Sequence, residues 1–271
     1  MSIGLLYTKT YNLRLILLIV CLLSFKYQLF AENINVSGKE LKLIANKIYI
    51  NECGGKTDNL THWNKGENFA SLGIGHFIWY PKGAQRAFSE SFPNLLKYLK
   101  KNKVRFPQWL DDCNYDCPWS TRKDFYNQFN STKMKSLRIL LRRAINLQAK
   151  FMFLRLEKAL PKILLSIPHN EGSKITFQFY RIAKSPFGMY ALIDYVNFKG
   201  EGVNKTERYK GHGWGLLQVL QCLNGTTIGI NAIKEFQKSA ICVLARRVDN
   251  SPMNRNEIRW LPGWVNRINT Y

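Results

Sequence analysis

Acidic side chains are scarce in this chain. Asp and Glu together number 18 against 40 Lys and Arg, for a formal net charge of +22 over 271 residues. An excess of this size suits a polyanionic partner. The means by which basic proteins read nucleic acid are missing, however: there is no zinc finger, no RNA-binding motif and no basic heptad helix, so nucleic acid is not the expected partner. Ligand spacing is missing as well. His62, His169 and His212 are scattered, and the close pair Cys113 and Cys117 ("CNYDC") has no second pair to complete a zinc site, so neither a metal nor a cofactor is expected. Two phosphate-like stretches fail. "GGKT" (54–57) has Ile50 where a phosphate loop needs glycine, and "GHGWG" (211–215) spaces its glycines wrongly for a dinucleotide fold. Internal repeats and low-complexity segments are also lacking.

What is present begins with a leader. Lys9 and Arg14 precede an apolar run over residues 15–25, and a processing site fits near Ala31. The run is too short to span a bilayer comfortably and reads as a signal peptide over 1–31, with an uncleaved anchor as the alternative. Lys9, Arg14 and Lys26 would leave with it, so +22 becomes +19. A periplasmic or secreted protein without a stable membrane anchor is expected. An anionic wall polymer suits such a protein, and a soluble basic surface with no specific partner is the plainer reading. Five cysteines would remain once Cys21 is removed. In an oxidising compartment Cys113 would pair with Cys117 and Cys222 with Cys242, leaving Cys53 free.

Residues 32–271 read as one domain. Leu41, Ile44, Ala45, Ile48 and Asn51 share one face of a helix over 38–51, which Gly54 and Gly55 end. "FASLGIGHFIWY" (69–80) reads as short strands about glycine turns, completing a hairpin lobe over 38–83. Residues 84–130 form an insertion carrying the close Cys pair. A helical lobe follows over 134–271, with helices expected at 134–157, 174–184, 186–199, 211–223, 229–248 and 254–268. The class is α+β.

Glu52 ends the first helix just before the glycine-rich hairpin. A carboxyl half buried beside apolar groups keeps its proton near neutral pH, as cleavage of a glycosidic bond requires. Alone, a Glu at a helix end reads as a solvated residue. Yet "INECGGK" (50–56) followed by "NFASLGIGHFIW" (68–79) resembles the lysozyme superfamily, most closely the phage-type enzymes of glycoside hydrolase family 24. There a Glu-Gly pair ends the first helix, and a hairpin strand carries Thr-Ile-Gly-Ile-Gly-His. Ser71, Leu72, Gly73, Ile74, Gly75 and His76 occupy the corresponding places. "YALIDYVNFKGEG" (190–202) is similar to that family's buried central helix. "SPMNRNEIRWLPGW" (251–264) is similar to its terminal region. The resemblance implies a lysozyme-like fold, a monomer, and cleavage of the MurNAc–GlcNAc backbone of peptidoglycan glycan strands, with Glu52 as catalytic acid.

One departure affects the mechanism. Lys65 stands where the family has an Asp, and the nearest carboxylates are Glu67 and Asp58. If Glu67 lies opposite Glu52, the pair could hydrolyse, with Ser71 holding a water. If no carboxylate is close, Glu52 serves as acid and then base while the sugar's own hydroxyl attacks, as in lytic transglycosylases. His76 invites a general-base reading, whereas the resemblance gives it a structural tie to a carboxylate in the lobe; it is counted with Trp63 and Gln218 among the candidate substrate-binding residues. "YKGHGWGLLQVL" (209–220) resembles the Gly-Leu-Met-Gln segment of lytic transglycosylases, which makes Gln218 a candidate sugar ligand, although a glycine-packed helix start is the plainer reading. Trp63 is a candidate stacking platform for a sugar ring. Asp194 is expected to be a buried, hydrogen-bonded helix residue. A catalytically silent lysozyme-fold protein that binds wall glycan or a partner is the alternative from another class, and a polyanion-binding module is a third.

Overall fold

Ser37 opens the first helix: its hydroxyl accepts the Glu40 N–H at 3.1 Å, so one of the unpaired amides of the first turn is satisfied. Helix α1 runs Gly38–Cys53 and buries Ile44, Ala45, Ile48, Tyr49 and Cys53. Gly54 ends it in the left-handed region at φ 57°, a conformation that glycine adopts without a Cβ penalty. The computed structural model describes residues 34–271 except 87 and 114, and Val36–Tyr271 form one unit. The expected signal peptide and Cys21 lie outside the described residues. Among the described residues no helix is long and apolar enough to cross a membrane.

Strands β1 (Thr61–His62), β2 (Ala70–Leu72) and β3 (Phe77–Trp79) form one antiparallel sheet in that order. His62 pairs with Ser71, and Ser71 with Ile78, so these three share one face. Thr61, Leu72 and Phe77 take the other face and are buried. The β2–β3 turn is Gly73 to His76. Gly73 has φ +70°, and a Cβ there would sit 2.2 Å from Gln148 Oε1. That oxygen accepts the Ile74 N–H at 2.9 Å, which pins the hairpin tip to the helical lobe.

The insertion contains α2 (Phe92–Lys101), α3 (Gln108–Asp112) and α4 (Arg122–Asn127). Its aromatic side chains close over the back of the sheet, with Trp79 against Phe92 at 4.7 Å and Trp119 against Phe125 at 5.1 Å between ring centroids. The expected disulfides are not formed, and all five described cysteines are free. The Cys113 and Cys117 thiols instead donate to the Leu110 and Trp119 carbonyls.

Helices α5 (Thr132–Arg143), α6 (Ile145–Leu165), α7 (His169–Ala183), α8 (Gly188–Lys199), α9 (Leu216–Cys222), α10 (Ile230–Asn250) and α11 (Leu261–Ile268) build the second lobe. With the sheet they make the chain α+β. Ten of the twelve α8 residues are buried, as befits a helix apolar nearly all round. The helix expected over 134–157 is two helices. The backbone leaves α-geometry at Ala144, and Gln148 donates to the Leu141 carbonyl at 2.7 Å, satisfying an acceptor at the break. The helix expected from 211 starts at Leu216, because Gln218 folds back to accept the Gly215 N–H at 2.9 Å. The stretch expected as helix from 254 is two 3₁₀ turns, Met253–Arg255 and Glu257–Trp260, divided by left-handed Asn256 before α11 begins.

Candidate active site

Glu52 reaches from the end of α1 into the junction of three elements, and its side chain is only 9% exposed. Arg267 of α11 donates to Glu52 Oε1 at 2.7 Å. The same guanidinium grips Asp194 of α8, with Nε to Oδ2 at 2.8 Å and Nη2 to Oδ1 at 2.9 Å. Tyr271 donates a third bond to Asp194 Oδ2 at 2.8 Å. On the other side, His76 Nδ1 of the hairpin turn lies 3.4 Å from Glu52 Oε2. A relay of hydroxyls buttresses the cluster: Asn51 donates to Tyr190, which bonds Thr270, which donates to the Arg267 carbonyl.

One cation thus serves two carboxylates. Burial raises the Glu52 carboxyl to about 7; Arg267 opposes that rise, and the Asp194 charge adds to it. A carboxyl so placed holds a proton for much of the time near neutral pH. Enclosure by the protein, then the Arg267 cation, push His76 down to about 4. Its side chain is 42% exposed, so water moderates the enclosure, but the direction leaves a neutral imidazole at pH 7.

A groove of about 660 Å³ runs along this junction. His76, Ile78, Phe198, Trp214 and Glu201 line it, and Asn197 of α8 closes one edge by donating to the Gly75 carbonyl at 2.8 Å. Glu52 sits behind this wall, linked to it through His76. Gly200 and Gly202 line the groove where α8 ends. Gly202 has φ +82°, and a Cβ there would meet Gln218 Oε1 at 2.2 Å.

The structure brings some of the sequence candidates together and separates others. Glu52 and His76 meet. Ser71 is buried at mid-strand, on the sheet face that Ile78 extends into the groove. Glu67 does not join Glu52. It accepts from Asn64 at 3.1 Å and makes no ion pair or hydrogen bond with Glu52 or His76; burial raises its carboxyl somewhat. Trp63 is not a sugar platform. It is 2% exposed, packs edge-on against Phe125, and donates its indole N–H to the Glu67 carbonyl at 2.9 Å. Gln218 is not free for a ligand either. Its amide bonds Gly215 N and the Gly202 carbonyl, which makes it a clamp for the glycine loop. Asp194 is buried and fully bonded, as its place on the central helix implied.

Nothing in the sequence analysis points to Arg267, Tyr271 or Lys199. The spacing of Trp264 and Arg267 on the last helix, Leu261–Ile268, is the available signal for Arg267, since it places them near one helical face; Tyr271 lies beyond that helix. Among the described residues no group of three or more His, Cys, Asp or Glu side chains is arranged to hold a metal ion. No protein-family model, curated protein or solved structure matches the chain.

Proposed function

We propose that this is an exported, lysozyme-like glycosidase that cleaves the glycan strands of peptidoglycan, with Glu52 as its catalytic acid. The observation that carries the reading is the placement of Glu52: its side chain is 9% exposed, it shares its cation Arg267 with Asp194, and it is joined through His76 to the edge of a long groove, a setting that raises its carboxyl to about 7. Oε1 accepts the Arg267 bond, so the proton belongs on Oε2, the oxygen turned toward His76. A strand entering the groove displaces the imidazole and takes that proton on its glycosidic oxygen as the bond to the anomeric carbon breaks.

The surroundings of Glu52 favour the anhydro-forming route over hydrolysis. Asp194 is 1% exposed and is committed to Arg267 and Tyr271 through three bonds, so it is poorly placed to activate a water. Glu67 is held by Asn64. The MurNAc 6-hydroxyl then attacks the anomeric carbon and returns its proton to the Glu52 carboxylate, which closes an anhydro ring without water. Digestion of sacculi by the wild-type chain and by Glu52→Gln, followed by mass analysis of the muropeptides, tests both parts. Anhydro ends that vanish in the variant are expected. Reducing ends would instead assign hydrolysis, and equal release by both proteins would remove Glu52 from the chemistry.

A second reading, a silent wall-binding protein, is favoured by the 2.7 Å Arg267–Glu52 pair and by Lys65 in place of the family's Asp. It predicts that sacculi pull the protein down but are never solubilised.

A further inference from the structure

A row of alternating cations and aromatic rings runs from the Glu52 cluster to the groove, where Phe198, Lys199, Trp214 and Arg247 line it. The Arg267 guanidinium lies over Phe198 at 4.0 Å, and Lys199 Nζ lies over Phe198 at 3.9 Å and over Trp264 at 3.5 Å. Arg247 continues the series over Trp264 at 5.0 Å and Trp214 at 4.1 Å. Within this row the arginines are satisfied by carboxylates: Arg267 by Asp194 and Glu52, and Arg247 by Glu257 at 2.7 Å. On the facing wall Arg155 and Lys162 share Glu201, at 3.5 and 3.4 Å. Lys199 differs. It is 9% exposed, lines the groove, and makes neither a hydrogen bond nor an ion pair among the described residues. Ring faces stabilise its charge only in part, and leaving a buried amine otherwise unpaired is costly.

We infer that Lys199 is the receptor for a single carboxylate on the substrate. This inference rests on the proposed cleavage of wall glycan and narrows its substrate to strands whose muramyl units carry a peptide with a free carboxylate. Lys158 also lines the groove without a partner among the described residues, but it is exposed; the one buried, unpaired amine matches one negative charge. A phosphate-rich wall polymer would call for several free cations, and the arginines here are already engaged. Burial, with Arg247 and Arg267 nearby, holds the empty Lys199 amine well below its usual range. An arriving carboxylate reverses that by supplying the missing counter-charge.

Calorimetry on full-length Glu52→Gln protein, which binds without turnover, tests the site with three probes: a disaccharide–dipeptide wall fragment ending in a free carboxylate, the same fragment amidated, and a glycerol-phosphate trimer. The carboxylated fragment should bind at least about tenfold tighter than the amide, as a charge-assisted bond in a buried site implies. Adding Lys199→Met should bring the two fragments level. In the single variant, the carboxylated fragment should also shield Lys199 from acetic anhydride, as read by peptide mass analysis, which needs no second folded variant. Equal binding of the two fragments, binding of neither, tightest binding of the trimer, or unshielded Lys199 would each overturn the inference. Clearing of sacculi by the wild-type chain is read separately. Clearing without charge preference discards this site and keeps the proposed reaction, whereas preference without clearing does the reverse.

Discussion

Glu52 and Glu257 are both withdrawn from water, with side chains 9% and 3% exposed, yet their carboxyls move in opposite directions. Glu257 is held below the usual carboxylate range even though burial pushes it up, because Arg247, Arg255 and the Tyr209 hydroxyl all converge on it. Glu201, at the groove wall, is likewise held low by Arg155 and Lys162. Glu52 has one cation, and that cation is already committed to Asp194. Burial depth therefore does not decide which glutamate keeps a proton. The count of uncommitted cations per carboxylate does.

Loss of Arg267 should disturb the contrast between the two glutamates most. Arg267→Met leaves two buried carboxylates facing each other without a counter-charge and should cost about 3–5 kcal/mol in a denaturant melt, while driving Glu52 further up. A loss near zero would mean that the shared cation is not what organises the site. Next in size is the pH dependence. Because Glu52 is raised in the folded chain to about 7 from an ordinary value near 4.3, its contribution to stability is fully present below the lower value. It fades as pH climbs from that value through the upper one, by up to about 4 kcal/mol. Urea melts at pH 5 and pH 8 should show this decline in the wild type and not in Glu52→Gln.

At the hairpin, Gly73→Ala would place a methyl against Gln148 and hold a side-chain residue at φ +70°. A cost of about 1–3 kcal/mol in thermal melts is expected, with sacculus clearing reduced along with it because the turn carries His76. Smallest is Arg155→Met, which takes one of the two cations from Glu201. Stability should change by less than about 1 kcal/mol, since that pair is partly solvated, but a carboxyl titration should show Glu201 moving up toward Glu52.

The first helix and the hairpin were legible because their signals are local. The apolar spacing from Leu41 to Ile48, the paired glycines after Cys53 and the turn glycines at 73 and 75 each act on their own stretch of chain. Glu52 was readable through its position between them. Arg267 was not, because in so basic a chain an arginine near the end reads as solvated surface, and its partner Asp194 lies 73 residues away. The burial of Trp63 is hidden from sequence for the same reason. Its loop is rich in Gly and Asn, as binding loops are, but Phe125, Tyr126 and Arg122 of the insertion cover it. Glu67 looked available only because the bond from Asn64 cannot be foreseen from spacing.

A carbon-13 carboxyl titration of the full chain, with Glu52 assigned by comparison with Glu52→Gln, measures the central quantity itself. The arrangement of one cation between two carboxylates predicts a Glu52 midpoint near 7. A midpoint in the ordinary glutamate range near 4.3 would mean that Glu52 carries no proton to give at neutral pH, and the proposed chemistry would lose its acid.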